Sequence, residues 1–132
     1  MSDKKQADPS TVFALEYVSS AVSLLANDGI VVHVVNDSAV SENARVVIYQ
    51  ATGGGATPVS DSGSMTAPPS FDSGVGFTVA ASGEYWVRIQ VTSEAQVPMA
   101  SFERLASGTF VPFVTYEPGD FAAFSLIRKR IW

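Results

Sequence analysis

The stretch Gly83-Glu84-Tyr85-Trp86-Val87-Arg88-Ile89-Gln90-Val91-Thr92 decides the fold. Tyr85, Val87, Ile89 and Val91 alternate with Trp86, Arg88, Gln90 and Thr92, and a period of two sends successive side chains to opposite faces of a sheet. The Tyr85 set is a core face. The Trp86 set points away from it.

The same alternation recurs on both sides of this stretch. Residues 30–36 are rich in β-branched side chains and follow Asn27-Asp28-Gly29, where Asp28-Gly29 suits the positive φ angles of a tight hairpin turn. In residues 44–51, Ala44, Val46 and Ile48 share one face while Arg45, Val47 and Tyr49 share the other. A long connection follows, broken by Gly53-Gly54-Gly55, with a short extended piece at residues 58–62 and a loop forced by Ala67-Pro68-Pro69-Ser70. Residues 74–79 and 83–92 read as strands joined at Ala80-Ala81-Ser82-Gly83. Residues 98–105, 109–116 and 119–132 complete the set, separated by Ser107-Gly108 and Glu117-Pro118-Gly119.

Two periodicities compete in residues 11–25. Leu15, Val18, Val22 and Leu25 make a helical stripe after Asp8-Pro9, whereas Phe13, Leu15 and Tyr17 alternate, with Ser19-Ser20 as a break into a second strand. The strand reading is preferred. The expectation is thus an all-β chain: an antiparallel β-sandwich of about eight or nine short strands occupying residues 11–132, preceded by a flexible tail at 1–10.

Ser82-Gly83-Glu84-Tyr85-Trp86-Val87-Arg88-Ile89 resembles the small-x-Gly-x-Tyr-x-Val pattern that precedes a central strand in many bacterial immunoglobulin-like domains. The resemblance implies an immunoglobulin-like sandwich in which Tyr85 anchors a corner by hydrogen bonding back to the preceding turn. The chain lacks the cysteine pair and the core tryptophan of antibody-type domains. A shared sandwich carries no activity with it.

Composition narrows the function classes. A 132-residue chain that is 46% hydrophobic and 16% charged is large enough and apolar enough to bury one core. With no cysteine, thiolate metal sites, disulfides and cysteine nucleophiles are all excluded. Residues 11–127 hold eleven acids against three bases, Arg45, Arg88 and Arg104, a formal balance of −8. Such a body repels a phosphate backbone, so nucleic acid is not the expected partner. The most apolar region, residues 21–35, is interrupted at Asn27-Asp28-Gly29 and is too short to insert in a membrane. Residues 1–10 are polar, without the apolar stretch of a secretory signal, and a cytoplasmic location is the default expectation.

No catalytic cluster emerges. His33 is the one histidine, it points away from the Ile30, Val32 and Val34 face, and no G-x-S-x-G elbow accompanies it, so it reads as a structural or surface residue. Glu103, Glu117 and Asp120 are close enough in sequence to meet across adjacent strands, yet strand ends and a Glu-Pro-Gly-Asp turn account for them equally. Asp61 and Asp72 lack the surrounding D-x-[DN]-x-[DN]-G loop of a calcium site. Gly53-Gly54-Gly55 lacks the Lys-Ser/Thr ending of a phosphate loop. Asn36-Asp37-Ser38 matches a glycosylation acceptor. Neither an enzyme nor a cofactor nor a metal is expected.

The candidate interface is aromatic and basic: Trp86 with Arg88 on the outward face of the central strand, and Arg128, Arg130, Ile131 and Trp132 at the C-terminal end. The leading expectation is protein contact or self-assembly through these residues. A carbohydrate or small-ligand module using Trp86 and residues 52–73 comes second. A hydrolase using Glu103, Glu117 or Asp120 comes third.

Overall fold

The computed structural model describes residues 12–126. Arg128, Arg130, Ile131, Trp132 and the tail at 1–10 lie outside the described residues. Eleven strands form among the described residues: β1 Leu15–Val18, β2 Val22–Leu24, β3 Gly29–Asn36, β4 Glu42–Thr52, β5 Gly55–Asp61, β6 Met65–Ala67, β7 Asp72–Thr78, β8 Gly83–Val91, β9 Gln96–Ala106, β10 Thr109–Tyr116 and β11 Ala122–Ser125. Sheet A runs β11-β1-β8-β4-β5, with β2 also pairing β8 and β6 also pairing β4; sheet B runs β10-β9-β3-β7. Every pairing is antiparallel.

The all-β sandwich expected from the alternation is what forms, and residues 12–25 hold the two strands β1 and β2 and no helix. The count is eleven, not eight or nine; Ser19-Ser20 separates β1 from β2 as expected, and residues 62–64 separate β5 from the additional strand β6. Ser19 repairs its own break. Its hydroxyl accepts the Val87 N–H at 2.9 Å, so β8 loses no ladder bond where the strand beside it is interrupted.

The long connection after residue 51 is also revised. Gly53 and Gly54 adopt φ of 45° and 93°, giving a two-residue turn that pairs Thr52 with Gly55 and folds β5 back on β4 as a hairpin. The turn at 27–29 changes in the opposite sense. Asn27, not Asp28 or Gly29, takes the positive φ of 77°, and β2 and β3 belong to different sheets, so this is a crossover and not a hairpin. Likewise 79–82 carries the chain from β7 in sheet B to β8 in sheet A.

The core lies between the sheets. Ala44, Val46, Ile48, Tyr85, Val87, Ile89 and Val91 from sheet A face Ile30, Val32, Val34, Ala100 and Phe102 from sheet B, each at most 3% exposed. Tyr17, Phe102, Tyr116 and Phe121 close one end as an aromatic chain with centroid separations of 5.2–6.1 Å. Burial pushes the Tyr17 phenol above its ordinary pKa, with the nearby Glu94 charge adding to the effect.

Buried amides stitch the two layers. Asn36 is fully buried at the end of β3; its Nδ2 donates to the carbonyls of Val40 and Ala67, both at 2.9 Å, and its Oδ1 accepts the Ser38 N–H at 3.0 Å. An amide so placed is closed to glycosylation in the folded chain. Gln96 repeats the device, accepting the Thr92 and Ser93 N–H groups and donating to the Asn43 carbonyl.

Candidate functional site

Beyond the Gly29–Glu103 pair, β9 has no further partner in β3, and the β9–β10 hairpin continues past the sandwich as a two-stranded arm. Its turn, Ser107-Gly108, takes φ of 54° and 82°. Along the arm Leu105, Phe110, Val111 and Phe113 are 42–50% exposed. A bulge between Pro112 and Val114 shifts the register there.

The arm is pinned at its root. Asp28, 3% exposed, receives a two-pronged guanidinium contact from Arg104, with Nη2 to Oδ2 at 2.8 Å and Nε to Oδ1 at 3.1 Å, and also accepts the Leu25 N–H at 2.8 Å. Hydrogen bonding from Arg104 holds the Asp28 carboxyl below its ordinary range against the opposing effect of burial, and raises Arg104 in turn. The same guanidinium lies 4.6 Å from the Phe113 ring centroid. A cavity of about 300 Å³ opens here, with Leu25 and Leu105 at its rim and the Asp28–Arg104 pair in its wall. The arrangement offers an apolar surface around one satisfied ion pair, with no activated nucleophile.

Trp86 sits directly across from Tyr49 on the outer face of sheet A, half-buried, with the two rings stacked at 5.5 Å and 13°. Arg88 lies over the Tyr49 ring at 5.0 Å, donates to its hydroxyl at 2.9 Å, and stands 3.4 Å from Glu16 Oε2. One face of the indole is therefore already covered by the chain's own tyrosine. These contacts tie β1, β8 and β4 together across the sheet.

The chemistry-bearing residues are dispersed. His33 Nδ1 meets Asp72 Oδ1 at 3.1 Å on the outer face of sheet B, beside a cavity of about 250 Å³ lined by Met99, Ser101, Thr115 and Glu117. Ser101 donates to Glu103 Oε2 at 3.0 Å. Glu103 is opposite Pro112, whereas Glu117 follows Tyr116, the partner of Ala100, so about 13 Å of strand separates the two acids. Asp120 turns back to accept the Glu117 N–H at 2.9 Å. The three carboxylates named as a possible catalytic set do not converge. Asp61 is held by Arg45 in sheet A and Asp72 by His33 in sheet B. Among the described residues no three His, Cys, Asp or Glu side chains group as metal ligands.

No family model matches the chain, and no curated protein matches it. A solved structure does. The crystal structure of Thermotoga maritima 1070 aligns with a TM-score of 0.55 at 8% identity, over 81% of this chain and 94% of that one. The likeness is one of fold. Among the described residues no helix is long and apolar enough to cross a membrane.

The arm was not among the residues the sequence pointed to. Its signal was present: Phe110-Val111-Pro112-Phe113-Val114 is apolar on both phases of the alternation, which suits a strand covered on two faces, yet β10 is an edge strand.

Proposed function

We propose that this chain is a non-catalytic, immunoglobulin-like β-sandwich that works by protein contact, and that the β9–β10 arm is its contact surface. The observation that carries the reading is the exposure of Leu105, Phe110, Val111 and Phe113, with the Leu105–Phe110 pair on one face of the hairpin and Val111 on the other, on an arm whose root is fixed by Asp28 and Arg104. Contiguous exposed apolar side chains rimmed by polar groups mark interaction sites. Support for the immunoglobulin-like description comes from Tyr85, whose hydroxyl donates to the Ala81 carbonyl at 2.6 Å in the turn before its strand.

The test is Leu105→Ser combined with Phe110→Ser, followed by light scattering across concentration. The wild-type chain associates with itself, and the double variant keeps its β-sheet circular dichroism while associating more weakly. A wild-type chain that stays monomeric at every concentration, with solubility unaltered by the double variant, overturns the reading.

A further inference from the structure

We propose that the edge of β7 that no other described strand pairs is a second interface, distinct from the arm, at which two copies of the chain join strand to strand about a two-fold axis. The case begins with the other sheet edges, each of which is blunted. In β5, Pro58 lies opposite Tyr49; the Val46 carbonyl accepts the Ser62 N–H, so even-numbered residues of β4 face β5 and Pro58 turns its missing donor outward. A bulge adjoins it at Ile48/Tyr49. In β10, Pro112 lies opposite Glu103, whose backbone groups face β3, so this proline too removes a donor from the open side, and it too adjoins a bulge. Strands β2, β6 and β11 are three, three and four residues long. Prolines, bulges and shortness are the devices that keep edges from pairing.

β7 has none of them. Its seven residues pair with β3 in unbroken register from Gly29–Thr78 to Val35–Asp72. Asn36 donates to the Phe71 carbonyl and Val79 to the Asp28 carbonyl, both at 2.9 Å, which sets the alternation: Ser73, Val75 and Phe77 turn their N–H and C=O groups to β3, while Asp72, Gly74, Gly76 and Thr78 present theirs to the open edge. All four edge residues are exposed.

Gly76 supplies an independent observation. Its φ is not in the left-handed region, and nothing lies within 4 Å of the position a Cβ would take. Gly74 at least has the His33 ring 3.6 Å away. At Gly76 the side-chain position points out of the sheet plane into open space, so no side chain stands over the edge there.

The occupant is a second copy because the segment is complementary to itself. A two-fold axis at Val75 sets Gly74 against Gly76 of the other copy and Asp72 against Thr78, so that all outward groups pair, in about eight backbone bonds. Core-facing residues then meet core-facing residues, with Val75 on Val75 and Phe77 beside Ser73. The charges are compatible: the two Asp72 carboxylates lie at opposite ends of the ladder, about 20 Å apart, and each is already held by its own His33. A ladder of this size is small against a standard interface, so the dimer is reversible.

Gly76→Pro removes an outward donor from each copy and leaves every β3 bond intact. Sedimentation equilibrium should show the dissociation constant raised roughly a hundredfold, about tenfold for each of the two bonds lost. In the wild type, the Gly74 and Gly76 amides should gain hydrogen-exchange protection as concentration rises, a readout that does not depend on the variant folding. Fast exchange of both amides at every concentration overturns the proposal. So does association that survives Gly76→Pro and is lost only with Leu105→Ser and Phe110→Ser, an outcome that leaves the arm reading intact.

Discussion

Asn36 concentrates more of the fold in one side chain than its place in a valine-rich strand suggests. Both of its amide hydrogens and its carbonyl oxygen are engaged, with Val40, Ala67 and Ser38, and truncation takes a donor from the buried Ala67 carbonyl and an acceptor from the Ser38 N–H, while the Val40 carbonyl keeps the Ser38 hydroxyl. Asn36→Ala should cost about 2–4 kcal/mol, seen as a lowered denaturant midpoint with an unchanged slope; a loss below about 0.5 kcal/mol would show that water replaces the amide. Asp28 gives a prediction in pH. Because Arg104 depresses its folded pKa, the pair's contribution to stability is complete above the unfolded carboxylate value near 4 and drains away as pH falls below it. Asp28→Asn should therefore lower stability at neutral pH and flatten its acid limb. Parallel stability curves for the two proteins below pH 4 would contradict this assignment.

At the scale of elements, the sequence was most legible where one face of a strand is core. In residues 30–36, 44–51 and 83–92 the inward sets are buried, because burial of one face and solvation of the other is the condition under which a period of two is written into the residues, although Val47 of the outward set is buried as well. Connections were less legible. Asn27-Asp28-Gly29 carries hairpin chemistry but makes an inter-sheet crossover, since turn residues specify local φ and not which layer the next strand joins. The arm was legible only in part: residues 110–114 are apolar on both phases, but the exposure of the hairpin follows from where β3 ends, a long-range fact absent from residues 104–113 themselves. Its turn can nonetheless be improved. Ser107 is a non-glycine in the left-handed region immediately before Gly108, and Asn is the residue best suited to that place. Ser107→Asn should raise stability by about 0.5 kcal/mol, read from the thermal midpoint. A lowered midpoint would mean that the serine hydroxyl has a role in the arm.

Charge sets how whole molecules meet. The chain carries a formal −5 at neutral pH, and two copies approaching one another repel over a range set by the Debye length, about 10 Å at 0.1 M salt. Neither proposed surface offers ion pairs to offset this: the exposed arm residues are apolar, Arg104 is already committed to Asp28, and the β7 ladder is backbone, glycine, valine and phenylalanine between two well-separated aspartates. Added salt therefore screens the repulsion while leaving the attractive contacts in place, and apolar burial is if anything strengthened by excluded salts. Self-association measured by sedimentation should tighten from low to moderate ionic strength, and tighten again as pH falls from neutral toward 5 and the net negative charge shrinks. Association that weakens as salt is added would require opposite charges in contact, and would move the interface away from the arm and β7 toward the basic residues at the chain's ends.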